Sequence, residues 1–131
     1  MTKLRIFVSH SSQYGEIAKR LKLTLQALEL TNQLEILISE EMAGAQDWRK
    51  WIDQNVKTSD LFLLLYPHAE MEMGWCNYEL GRFYDEIRPV VCIKNVDISS
   101  PPPAFKPYQC YDASQQGFLK FLNELFVTGE F

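Results

Sequence analysis

Leu61-Phe62-Leu63-Leu64-Leu65-Tyr66 is six apolar residues in a row, with Ser59-Asp60 before it and Pro67 after it. A strand with one wet face alternates polar and apolar side chains, so an unbroken run says that both faces are covered. Strands of that kind belong to parallel sheets, whose crossover connections lay helices over the two faces. The fold class that follows is α/β, and the neighbouring segments are expected to alternate between helix and strand.

They do. Leu4 to Ser9 and Leu34 to Ile38 are short apolar strands ahead of the central one, and Pro89 to Ile93 is a fourth behind it. Tyr108 to Tyr111 fits a short fifth strand at a sheet edge. Between the first two strands, Tyr14 to Leu30 places Ile17, Leu21, Leu25 and Leu28 at helical spacing, with Lys19, Lys22, Gln26 and Glu29 opposite. Asp47 is placed to cap a second helix carrying Trp48, Trp51, Ile52 and Val56 inward. A third helix after Met73 carries Cys76, Leu80, Phe83 and Ile87 as its core stripe. The last, from Ser114 to about Phe126, turns Phe118, Leu122 and Leu125 to one side. Ser99-Ser100-Pro101-Pro102-Pro103 reads as an extended surface connection, because proline supplies no backbone N–H. Five strands fit the flavodoxin-like order 2-1-3-4-5 with helices on both faces, in a single domain over residues 1–131. Ligands of such sheets bind beyond the carboxyl ends, where the winding reverses between the first and third strands. The loops there are Ser9–Ser12 and Pro67–Gly74, and Ser39–Gln46 leaves the neighbouring second strand towards the same opening.

Composition removes several classes of function. Net charge is −4 with no basic stripe, which argues against direct nucleic-acid contact. The run Leu61–Tyr66 is the longest apolar one and far too short to cross a membrane. Met1-Thr2-Lys3-Leu4 leads straight into a strand and leaves no signal-peptide core. Cys76, Cys92 and Cys110 are widely spaced without a CxxC pair, the pattern of reduced thiols in a cytoplasmic protein. No close ligand pair exists for a metal, and neither GxxxxGK nor GxGxxG occurs.

The chemistry points to Met73-Gly74-Trp75-Cys76-Asn77-Tyr78-Glu79-Leu80-Gly81. Trp75 and Glu79 stand four residues apart, so at ~3.6 residues per turn they share a helix face. A carboxylate beside an aromatic plane suits a substrate carrying a sugar and a flat cationic ring. Both residues lie one step round from the core stripe, which predicts a carboxylate at a rim, neither fully buried nor freely solvated. On spacing alone a surface glutamate is the commoner outcome, and tryptophans such as Trp75 and, still more, Trp48 are more often core or loop anchors than substrate platforms. Ser9 and His10 stand at the end of the first strand, where they either meet a ligand or cap the helix. For His10 the alternatives are a substrate phosphate and a solvent-exposed loop. Cys76 sits on the apolar stripe and reads as inert.

Several of these patterns coincide with a known family. Ile6-Phe7-Val8-Ser9-His10-Ser11, Gly44 followed by Trp48, Ile52, Val56 and Ser59-Asp60, the strand Leu61–Tyr66, and Gly74-Trp75-Cys76-Asn77-Tyr78-Glu79-Leu80 together resemble a TIR (Toll/interleukin-1 receptor) domain of the bacterial and plant type. The resemblance implies the flavodoxin-like fold. It implies that Glu79 is the catalytic residue of an NAD+ glycohydrolase or cyclase in immune or antiviral defence. Substrate contacts would come from Ser9, His10, Ser39, Trp48 and Trp75, with NAD+ as substrate and no further cofactor. The stretch Ser39–Gln46 would be the BB loop, through which TIR domains self-associate and complete a neighbour's active site. It contains no proline, unlike that of many animal signalling members, which favours a microbial enzyme. Because the sequence stops soon after its last helix, it is expected to be the N-terminal effector domain of a longer protein. Two other functions fit the same residues: a scaffold acting only by TIR–TIR contact, and an N-glycosidic enzyme of the nucleoside deoxyribosyltransferase kind.

Overall fold

The computed structural model describes residues 4–28, 34–38, 48–85 and 87–128, with the backbone alone at Trp48. Five strands form one parallel sheet: β1 (Leu4–Ser9), β2 (Leu34–Ile38), β3 (Leu61–Tyr66), β4 (Val90–Lys94) and β5 (Gln109–Asp112). Their spatial order is β2-β1-β3-β4-β5, as the alternation of elements predicted. Four α-helices connect them: α1 (Gly15–Leu28), α2 (Trp48–Thr58), α3 (Gly74–Phe83) and α4 (Gln115–Asn123). A 3₁₀ turn over Ser12–Tyr14 precedes α1, and a π-helical turn over Glu124–Thr128 prolongs α4.

Strand side chains alternate between two cores. Ile6, Val8, Leu63, Leu65, Val91 and Ile93 face α1 and α4. Phe7, Phe62, Leu64, Tyr66, Val90 and Cys92 face α2 and α3. All six residues of β3 are buried, the reason its sequence shows no polar alternation. Phe62 is the hub of the second core, with ring centroids 5.7 Å from Phe7, 5.4 Å from Phe83 and 6.0 Å from Phe105.

Three stripes differ from the sequence expectation. In α1 the deepest residues are Ala18 and Leu25, while Ile17 is 41% and Leu28 48% exposed. Two helices share that face of the sheet, and the space between them receives Ile17. In α3 the stripe ends at Phe83, because the helix stops there, and Ile87 is 91% exposed. In α4, Phe121 is fully buried while Phe118 and Leu122 are only partly so. Asp47, expected as the cap of α2, lies outside the described residues. Ser114 caps α4 by accepting the Gly117 N–H at 3.1 Å.

Arg88 fastens α3 in place. Its guanidinium donates to the carbonyls of Val56 and Lys57 (3.1 Å each) and Ser59 (2.9 Å), where α2 ends. It also donates to the Phe83 carbonyl at the end of α3 and pairs with Asp85 at 2.6 Å. One planar group thus satisfies the open carbonyls of two helix ends. The same group lies 4.0 Å over the Phe83 ring.

Candidate functional site

The site grows from strand parity. Phe7 faces α2 and α3, so Ser9, two residues on, faces the same way at the carboxyl end of β1. The connection from β3 to α3 is pinned by the Tyr66 hydroxyl, which donates to the Ala69 carbonyl at 2.9 Å. Met71 is buried there, and α3 then starts at Gly74. Two short connections therefore bring Ser9 and Glu79, seventy positions apart, into contact: Ser9 Oγ donates to Glu79 Oε1 at 2.7 Å.

Glu79 is 1% exposed, deeper than the rim position its place on the helix wheel suggested. The wheel gives an angle, while depth is set by how closely α3 rides on β1 and β3. Burial pushes the Glu79 carboxyl up to about 8, because removal from water disfavours its charge. The Ser9 hydroxyl and the Trp75 indole oppose this shift without cancelling it. Oε2 is buried and has no hydrogen-bond partner among the described residues. Below pH 8 the group is mainly the neutral acid.

Around this carboxyl the expected residues fall unevenly. Trp75 is half-buried, stacked on Tyr78 at 5.5 Å and 20°, and hydrogen-bonded to Glu79. Tyr78 had no part in the sequence reading, although a second aromatic three residues on is the helical signal for such a pair. His10 is 2% exposed, so the loop histidine is buried instead of solvated. Its Nδ1 lies 2.8 Å from the Ser11 carbonyl, leaving Nε2 buried and unpartnered. Ser11 precedes the 3₁₀ turn but makes no side-chain capping bond. Cys76 is fully buried, its thiol pushed up to about 11 chiefly by desolvation, in keeping with an inert core cysteine. Trp48 opens α2, and its side chain, like Ser39 and the 39–46 stretch, lies outside the described residues.

On the other face of the sheet a groove runs between α1 and α4. It comprises cavities of about 240 and 450 Å³ that share Ile17, Leu65, Ile93 and Ala113, and Glu79 lines neither. Among the described residues no cluster of three potential metal ligands occurs, and no helix is long and apolar enough to cross a membrane.

A conserved protein from Enterococcus faecalis, known as a crystal structure, is similar over 98% of this chain and 79% of its own, with a TM-score of 0.57 at 16% identity. At that identity the likeness concerns the fold alone. No curated protein matches the chain. The family model of the TIR domain matches residues 6–125, which take in β1 from Ile6 on, the other four strands and the Ser9–Glu79 contact. The chain therefore belongs to the TIR domain family, whose members signal and generally interact with other TIR domains.

Proposed function

We propose that this TIR domain cleaves NAD+ between nicotinamide and ribose, with Glu79 as the catalytic carboxylate. One observation carries the reading. A carboxyl group sits at the switch point of the sheet with one oxygen held by Ser9 and the other unpartnered. The reaction needs little more. The C1′–N bond breaks with its electron pair going to the pyridinium nitrogen, and nicotinamide leaves neutral, so no general acid is required. Positive charge develops on the ribose, as in other glycosidic cleavages, and a fixed carboxylate stabilises it. Water then adds to C1′ and gives up a proton; attack by the substrate's own adenine gives a cyclic product instead. The Trp75–Tyr78 pair offers an aromatic plane for the cationic ring, a contact of ~1–2 kcal/mol when desolvated. Ser9 and His10 would meet the substrate from the β1 end, Ser39 from the connection between β2 and α2, and Trp48 from the start of α2.

In this proposal NAD+ is a substrate and no cofactor takes part. The protein acts in the cytoplasm as a defence effector. Activity arises on self-association through residues 39–46. The test is nicotinamide release from NAD+ by concentrated protein, with Glu79→Gln expected to lower turnover by about 10²-fold or more while folding is kept.

The second reading is a scaffold working only by TIR–TIR contact, and the observation in its favour is that Glu79 lines neither of the described cavities. Absence of turnover in enforced assemblies would establish it over the first.

A further inference from the structure

We propose that Cys92 and Cys110 form a modification site, at which a hydroperoxide makes a cross-strand disulfide that clamps the edge strand β5 to β4. The site is independent of the NAD+ chemistry and follows from strand register. In the parallel pair β4–β5, Cys92 stands directly opposite Cys110. Neighbouring strands run about 4.8 Å apart, inside the Cα separation of roughly 4.4–6.8 Å that a disulfide spans. Cys92 belongs to the core beneath α2 and α3, and Cys110 packs against that same core, so both side chains leave the sheet on one face.

The next pair on that face shows that the register brings side chains together. Lys94 and Asp112, two positions further along each strand, are also opposite one another, and their side chains form an ion pair. Just beyond, the Ala113 N–H donates to the Lys94 carbonyl at 2.7 Å and fixes the two strands. Between the cysteines, the Cys92 thiol donates a hydrogen bond to the Cys110 sulfur, so the two atoms are already in contact. Both are free thiols, and Cys110 is only half-buried, which gives a small oxidant access to one sulfur of the two. Cys76, the third cysteine, is fully buried on α3 beside Ser9 and Glu79. A 92–110 bond would close a ring around the extended Ser99–Pro103 connection. It would tie down a strand of four residues that has β4 as its one neighbour in the sheet.

One hydroperoxide is consumed per disulfide. The Cys110 sulfur, as thiolate, attacks a peroxide oxygen; the O–O bond breaks, water or an alcohol leaves, and Cys110 becomes a sulfenic acid. The Cys92 sulfur then attacks the Cys110 sulfur, the S–O bond breaks, and hydroxide departs with the Cys92 proton as water. Two thiols are oxidised, one peroxide is reduced, and a dithiol reverses the change. Burial pushes both thiols up, so each is a slow nucleophile by itself. Adjacency offsets this at the second step, because a sulfur held in contact reacts as if at very high concentration.

The test treats the purified chain with hydrogen peroxide, unfolds it without reductant, blocks the remaining thiols with N-ethylmaleimide and maps tryptic peptides by mass. Trypsin cuts after Lys94, between the two cysteines, so a 92–110 disulfide joins two peptides that dithiothreitol separates. The expected product carries one blocked thiol, Cys76, and melts up to about 10 °C higher than the reduced chain. Cys92→Ser should leave Cys110 as a sulfenic acid that dimedone traps, and Cys110→Ser, at the more accessible position, should leave Cys76 and Cys92 both free to be blocked. Three blocked thiols in the treated parent chain would overturn the site. So would Cys110 oxidised to a sulfinic acid with Cys92 still blocked, or a disulfide joining Cys110 to a second copy. A 92–110 disulfide that leaves the melting temperature unchanged overturns the clamp.

Discussion

Replacing Glu79 by glutamine tests the central premise without reference to any substrate. The ordinary glutamate value is 4.5, and burial in the folded chain moves it to about 8. As pH rises between these values, the unfolded chain loses the proton while the folded chain keeps it, so stability falls with pH. Below the unfolded value the acid form is common to both states and no penalty exists. Each pH unit inside the window costs nearly tenfold in the folding equilibrium, which accumulates to about 3 kcal/mol from pH 5.5 to 8. Glutamine has the same shape and no proton to lose, so Glu79→Gln escapes the penalty. It introduces amide donors at a buried position, a roughly constant cost of about 1–2 kcal/mol. The variant should therefore be close to or below the parent in stability at pH 5.5 and should gain about 3 kcal/mol on it by pH 8. Urea unfolding followed by circular dichroism at both pH values measures the difference, in which all other titrating groups cancel. In thermal melts the relative gain is of the order of 10 °C for a chain of this size. Parallel stability–pH curves for the two proteins would refute the reasoning, since they would mean that Glu79 ionises alike in the folded and unfolded states.

Three further outcomes follow from named contacts. Because Ser9 lowers the Glu79 value, Ser9→Ala should shift the acid limb of kcat/KM for NAD+ to higher pH and reduce it about tenfold at pH 7; the parent should itself gain activity up to about pH 8. Arg88→Ala removes the group that satisfies the carbonyls at the ends of α2 and α3, and should lower stability by about 3 kcal/mol in urea unfolding. Arg88→Lys should recover little of it, since an ammonium group lacks the planar fork. Gly117→Ala places a Cβ 2.0 Å from the Asp112 carbonyl oxygen, so α4 must move off β5, at a cost of about 2 kcal/mol or more in the same measurement.

The sheet was legible because its signal is local and repeated. An unbroken apolar strand implies two covered faces, and that implication orders every other segment. Helix phases were less legible, because a wheel assumes one flat partner. Ile17 and Leu25 lie on the same expected stripe, yet Leu25 meets the sheet while Ile17 meets the gap between α1 and α4. The Ser9–Glu79 contact was half legible. Topology put the two connections side by side, but the hydrogen bond depends on the parity of β1 and on the closeness of α3, and no single segment encodes that distance. Tyr78 beside Trp75 was present at helical spacing and went unread because an exposed tyrosine carries no chemistry by itself.

The depth of Glu79 also bears on the choice between enzyme and scaffold. A domain that only pairs with its own kind needs a shaped exterior, and nothing in that task calls for a carboxyl group under α3. In a protein of ordinary marginal stability the pH-dependent cost of burying that group is a sizeable fraction of the whole. Glutamine at 79 would keep the side-chain shape and the Ser9 hydrogen bond without that cost. What glutamine lacks is a charge that can appear when a cation arrives. The capacity for charge that glutamine lacks is the one that cleavage of a charged glycosidic bond requires, and Glu79→Gln separates the two tasks. If pairing with other TIR domains survives the substitution while turnover is lost, chemistry is the function that the buried acid serves; if turnover persists, the carboxyl group has been assigned to the wrong task.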